Sequence, residues 1–427
     1  MNKLTWQGTF RDYINEELFA RQPISKFKGP IGKRLLEKHL ATFLSYRTKA
    51  LYGAPDFLPF IIRGTVDRLM SWGNFPEDVR LDMTTDIIRI IIKHSVPMTV
   101  RLAVEPTPLQ QQDLSDHRMD RIVLAVAMYT QAVNEVRALL DDGADPWGQT
   151  VLFKDPIYIA TELGNEEMVK AILLAIDKIE VGLVAKQHRQ RQARVMTNAI
   201  QLAVRNGHWL IAERLMTWST ENNVKSPFSS VGSWVRKAVS SDKFDILEKM
   251  RTLGYLQYRI GMYAEFIVGG LLSNPKPEPA LRFCIDHRLF DENKVVSGRY
   301  STRWLLDIAI QWKNVPLVKA AIAVNSYADR SASLRSAIKQ NSPSIVRALL
   351  DSGVDPEARM HPPVDQTTCE LATGHTQIYN MLRKAIQRKR ETLGADYHPP
   401  HQKLIAKNGG YDYVAYTFHA PKPKDQV

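Results

Sequence analysis

Eleven residues, Val136-Arg137-Ala138-Leu139-Leu140-Asp141-Asp142-Gly143-Ala144-Asp145-Pro146, return as Val346-Arg347-Ala348-Leu349-Leu350-Asp351-Ser352-Gly353-Val354-Asp355-Pro356 with nine positions unchanged. The separation is 210 residues, six steps of 35, and a fixed period of this size restricts a chain to an array of like units. In each copy a Val and two Leu stand at i, i+3 and i+4, which makes one apolar helical face. Gly then follows, where a chain leaving a helix takes positive φ.

A second signature precedes such helices: a short helix with a small Ala, then a polar turn. It occurs as Ile157-Tyr158-Ile159-Ala160-Thr161-Glu162-Leu163-Gly164-Asn165 and as Ile200-Gln201-Leu202-Ala203-Val204-Arg205-Asn206-Gly207-His208. The equivalents of this Ala are Ala125, Ala160, Ala203, Ala238, Ala309, Ala337 and Ala372, at gaps of 35, 43, 35, 71, 28 and 35. The gap of 71 holds two units, so one is expected near Val268 to Leu271, with Gly269 and Gly270 as its small residues and Ala280 to Ile285 beginning its second helix. A small residue suits this place because a bulkier side chain would hold neighbouring helix pairs apart.

These units resemble ankyrin repeats. Asp155-Pro156-Ile157-Tyr158 stands where that family has Thr-Pro-Leu-His, Gly164-Asn165 and Gly207-His208 stand at its Gly-His turn, and Gly143-Ala144-Asp145 matches its closing turn. Few units keep the tetrapeptide, and Thr373-Gly374-His375 is expected to open a last, capping unit. The resemblance runs from Asp120 to Gln387, about seven or eight units. It implies an all-α, ankyrin-like helical-repeat solenoid over 119–387, while residues 1–118 read by pattern as a helical N-terminal region and 388–427 as a basic, aromatic C-terminal extension. It further implies protein–protein recognition in the cytoplasm or nucleus.

Outside the repeats, Asp86 to Pro97 reads as a degenerate first unit that stops at Val96-Pro97, and residues 104–119 as an exposed connector. Downstream, Arg383 to Arg390 continues the last helix, and Gly409 to Phe418 has the alternation of one strand. The two cysteines, Cys284 and Cys369, are too few for a disulfide framework or a Cys-rich metal site. No apolar stretch reaches the roughly 20 residues of a membrane-spanning helix, and the N-terminus lacks the apolar core of a secretory signal.

Catalytic signatures are sparse. There is no phosphate-binding glycine loop, nucleophile elbow or zinc-binding His pair, so no cofactor or metal is expected. His208 and His375 sit at Gly-His turns and read as structural. Tyr46, Trp72, Trp209, Trp218, Trp234, Trp304 and Trp312 lie at apolar spacing and read as core.

Charge is clustered. Against 45 Asp and Glu stand 57 Lys and Arg, a formal +12. One cluster, with Lys33 and Arg34, lies in 21–49; a second, with Lys186, Arg189, Arg191 and Arg194, falls inside the 43-residue gap, where about eight residues are inserted; a third, with Arg388, Lys389 and Arg390, runs on to Lys407. Insertions in stacked repeats project from one face, so these residues point to an anionic partner: an acidic protein segment, or nucleic acid such as tRNA.

A competing reading makes the chain an enzyme. Asp177/Glu180 and Asp245/Glu248 have the D-x-x-E spacing, which puts two carboxylates on one helical side. They are similar to the motif of fungal arginine-containing cyclodipeptide synthases, which use aminoacyl-tRNA, although four letters with two free positions carry little specificity. That resemblance would make Asp245 and Glu248 catalytic, holding an arginyl group or taking a proton from an attacking amine. In the repeat frame, however, both align with Asn134 and Arg137 on a solvated face.

Overall fold

The computed structural model describes residues 30–49, 57–73, 75–94, 116–150, 152–178, 186–256, 263–291, 304–324, 330–357, 367–393, 406–407 and 410–411; side chains are described there except at 30–38, 49, 57, 116–118, 186–189, 393, 406–407 and 410–411. The chain divides into two compact units, residues 1–237 with 245–256, and residues 238–244 with 257–427.

The described residues hold nineteen α-helices, one short 3-10 helix (Glu77–Val79) and a two-residue antiparallel ladder, joined by turns. In the first unit α1 (Pro30–Lys49), α2 (Phe57–Gly73) and α3 (Arg80–His94) pack on one another, and α2 and α3 pack on α4 (Asp116–Tyr129). Helix pairs then follow in sequence: α4 with α5 (Val133–Asp141), α6 (Pro156–Leu163) with α7 (Glu166–Lys178), and α8 (Lys186–Asn206) with α9 (Trp209–Glu221). First helices pack on first helices, α4 on α6 on α8, and second on second, α5 on α7 on α9. Next in the chain come α10 (Phe228–Ser240) and α11 (Phe244–Thr252). The second unit repeats the scheme with α12 (Ala264–Ser273) and α13 (Pro277–Asp286), α14 (Leu305–Gln311) and α15 (Val315–Ala323), α16 (Arg330–Lys339) and α17 (Pro343–Asp351), and α18 (Thr368–Leu371) and α19 (Thr376–Leu393). Every pair buries an apolar stripe: Val136, Leu139 and Leu140 in α5 and Ile345, Val346 and Leu349 in α17 occupy the spacing read from the sequence. Each such side chain, fully buried, contributes about 1.5–3 kcal/mol of transfer free energy.

The turns give the repeat its frame. At six inter-helix turns one residue takes left-handed φ: Gln131, Gly164, Gly207, Asp242, Lys313 and Asn341. The next residue then donates its N–H to a carbonyl five back, and that carbonyl is an alanine's each time: Ala127, Ala160, Ala203, Ala238, Ala309 and Ala337, at 2.8–3.1 Å. This closure satisfies a carbonyl that the helix end leaves open. The frame therefore starts at Ala127, two residues from the expected Ala125. The run Ile122 to Met128 is buried throughout, so its pattern gave no phase. Second helices end the same way, with positive φ at Gly143, Asn223, Gly254, Arg288 and Gly353. Past Gly143 and Gly353, Asp145 and Asp355 each accept the N–H of the residue two on, Trp147 and Glu357, at 2.9 Å.

The irregular unit holds α12 and α13, with Gly269 and Gly270 buried in α12, and its turn at Asn274 lacks the left-handed residue. Helix α4 starts at Asp116, inside the segment expected to be a connector; residues 104–115 lie outside those described. Thr373-Gly374-His375 is the turn between α18 and α19. The last pair opens earlier, at Thr367, whose hydroxyl accepts the Glu370 N–H while Glu370 takes the Thr367 N–H. Of the expected C-terminal strand, Gly410 and Tyr411 pair with Lys407 and Ala406; residues 409 and 412–418 lie outside those described. Among the described residues no helix is long and apolar enough to cross a membrane.

Candidate functional site

Consecutive turns reach one another. His208 brings its ring against Gly164, and Asn274 donates to the Val239 carbonyl and the Asp242 carboxylate at 2.9 and 2.8 Å. Asn314 donates to the Leu272 carbonyl at 3.0 Å, and its own side chain caps α15 by accepting the Leu317 N–H. Within each unit, neighbouring pairs are thus held by groups that leave the outward faces available.

Helix α8 departs most from its row. It has 21 residues against 8 in α6, so the insertion forms added helical turns. At 1.5 Å per residue the excess is about 20 Å. Its first turn carries no acidic residue, so the basic side chains stand at a positive dipole end. Arg191 turns inward, pairing with Asp155 at 3.0 Å and donating to the Trp147 carbonyl at 2.8 Å, which anchors α8 to the turn ahead of α6. Arg194, one turn on, is exposed. The side chains of Lys186 and Arg189, and of Lys33 and Arg34 in α1, lie outside those described. In α19, Arg388 is exposed, but Lys389 binds Asp355 at 2.6 Å and Arg390 binds Glu357 at 3.0 Å, across the turn after α17. The cation clusters are therefore divided between anchors and free faces, a division their sequence did not reveal.

Of the D-x-x-E pairs, Glu180 lies outside the described residues, and Asp177 accepts the Trp218 indole N–H at 2.7 Å. Asp245 is exposed in the first turn of α11, and both oxygens of Glu248 receive the Arg251 guanidinium. Leu247 and Met250 are fully buried, as the repeat frame required. No group of three or more His, Cys, Asp or Glu residues among the described ones could hold a metal ion.

The outer faces of the second helices carry an ion-pair chain, Arg137 to Glu167 to Lys170 to Glu166 to Arg214, from α5 across α7 to α9. Arg214 beside Glu166 holds that carboxyl below the usual range. Such exposed pairs contribute about 0–1 kcal/mol each. Between α7 and α9 lies a groove of about 610 Å³, floored by Leu173 and Trp218. Leu174 and Leu210 stand over it, 63% and 68% exposed. Sequence reasoning missed this site. Its signal was phase: Leu174 and Leu210 fall outside the stripes Met168-Val169-Ile172-Ala175-Ile176 and Ile211-Ala212-Leu215-Met216 that their helices bury. Among the expected core aromatics, Trp234 is fully buried, whereas Trp312 is 61% exposed because it ends α14 at the turn tip beside Lys313.

A further cluster joins α3, α4 and α6. The His94 ring stacks on Tyr129 at 4.0 Å, Tyr129 meets Phe153 at 5.6 Å, and the Lys154 ammonium lies 4.3 Å over Tyr158 and 3.6 Å from Glu162. Burial raises the Tyr129 phenol above its ordinary range, aided by Glu162. It also lowers His94, with Lys93 acting the same way.

No family profile matches the chain. Over 100 residues it is 34% identical to an ankyrin repeat protein of fowlpox virus (strain NVSL), a match covering 22% of this chain and 13% of that protein. This chain thus spans a small part of the relative's length, and the similarity agrees with consecutive helix pairs.

Proposed function

We infer that this chain is a protein-interaction module whose first-helix row receives an acidic segment of a partner. The observation that carries this reading is α8: a first helix longer than α6 by roughly three and a half turns, with basic residues where its dipole is positive and Arg191 tied down by Asp155 and Trp147. Arg191 then positions the extension, and Lys186, Arg189 and Arg194 are the residues offered to the partner. Similarity to an ankyrin repeat protein supports recognition in general, and the formal +12 supports a partner of negative charge.

The test uses an acidic 15-residue peptide and, separately, unacylated tRNA, each labelled and titrated into the full chain at two salt concentrations. Peptide binding that weakens at least tenfold in Lys186→Glu/Arg189→Glu/Arg194→Glu supports the reading. Binding unchanged in that variant overturns the assignment to α8. Preference for tRNA replaces the acidic segment with nucleic acid as the partner and directs attention to peptide-bond formation at Asp245 and Glu248.

A further inference from the structure

The groove between α7 and α9 has the shape and charge to seat another helix. Its walls are two parallel stripes. Glu166, Lys170, Leu174 and Asp177 succeed one another along α7, and Leu210, Arg214, Trp218 and Glu221 along α9, both spanning twelve residues at helical spacing. From first residue to last the rise is about 17 Å, the length of three helical turns. An ion pair and a hydrogen bond tie the two walls together, because Arg214 holds Glu166 at one end and the Trp218 indole N–H donates to Asp177 at the other. The two exposed leucines lie diagonally, at opposite ends of their stripes.

We propose that this groove is a docking site for an amphipathic basic helix of a partner protein, whose apolar side chains at i, i+3 or i+4 and i+7 pack on Leu174, Leu210 and Trp218 while its Lys or Arg residues meet the carboxylates at the C-terminal ends of α7 and α9. Charge selects this occupant. In a chain of net +12 the groove is lined by Glu166, Asp177, Glu213 and Glu221 against Lys170 and Arg214 alone. Both of those cations are already bound to Glu166, at 3.3 and 2.9 Å, and Glu213 is bound to Lys249. Among the described residues no ion pair or hydrogen bond engages the Glu221 carboxylate, which ends α9 in a last turn without basic residues. There the open carbonyls of the helix end add to the negative potential. The chemistry is opposite in sign to that of α8, so the two surfaces stand or fall separately.

Two labelled 18-residue peptides with one leucine stripe test it, one with lysine and one with glutamate on the remaining faces, titrated into the full chain at physiological salt and followed by fluorescence anisotropy. The lysine peptide binds, and the glutamate peptide binds at least tenfold more weakly. Leu174→Ala with Leu210→Ala weakens the lysine peptide tenfold or more without shifting the thermal midpoint, since both side chains are exposed. Glu221→Lys weakens it at least threefold. Equal binding of both peptides, binding of neither, or full binding by the leucine variant overturns the proposal. So does sedimentation showing a dimer that the leucine variant abolishes, because the groove's occupant is then a second copy of the chain.

Discussion

The imidazole of His208 sits so close to the backbone of Gly164 that a methyl group placed on Gly164 would come within 2.6 Å of the ring. Gly164 also holds φ at +69°, a conformation in which an L side chain costs roughly 1–2 kcal/mol. Gly164→Ala is therefore expected to destabilise by about 2–4 kcal/mol, the backbone cost plus that of displacing the ring. In a His208→Ala background the ring is gone and the cost falls to the backbone part. Urea titration of the four variants measures the coupling, and strict additivity would sink the contact as an energetic link between successive turns.

Lys313 occupies the equivalent turn position at φ +51°, with Asn341 there one pair later at +49°. Lysine has no local hydrogen bond to offset this conformation, whereas asparagine tolerates it. Lys313→Gly should stabilise by about 0.5–1 kcal/mol, and Asn341→Gly by less. Equal midpoint shifts in the two variants would show that residue type at this position does not set the energy of the turn.

That position also shows what sequence could and could not reveal. The period was readable because Val and Leu at i, i+3 and i+4 recur beside Gly143 and Gly353. The left-handed turn was readable only at Gly164 and Gly207; Gln131, Asp242 and Lys313 adopt the same backbone because packing of the pair overrides local preference. Arg191 resembled its basic neighbours until folding brought Asp155, 36 residues earlier, within 3.0 Å. The groove depends on Leu174 of α7 and Leu210 of α9 lining one cleft across two helices, a relation that no single helix's periodicity carries.

The two thiols should separate cleanly. Cys284 is fully buried in α13, which pushes its thiol up to about 12, while Cys369 in α18 is half-buried and raised mainly by desolvation. The thiolate is the reactive form, so at pH 8 an aromatic disulfide reagent should label Cys369 slowly in the native chain and Cys284 only on unfolding. One equivalent is expected before denaturant and two after. Release of two equivalents at one rate from the native chain would contradict burial of α13.

His94 gives the chain a pH dependence whose sign can be worked out. Its folded-state pKa lies below the ordinary value because desolvation disfavours the cation, with Lys93 and Lys154 acting in the same direction and Glu162 opposing them. The unfolded chain therefore takes up this proton more readily than the folded chain, so His94 lowers stability as pH falls through the ordinary histidine range near 6.5. Its contribution is fully present above that range. His94→Phe keeps an aromatic ring on Tyr129, 4.0 Å away in the native stack, and removes the titration. Urea midpoints at pH 7, 6 and 5 should fall less steeply for this variant than for the native chain. Parallel falls would mean that the stacked imidazole is protonated as easily in the folded chain as in the unfolded one, and that the acid sensitivity arises elsewhere.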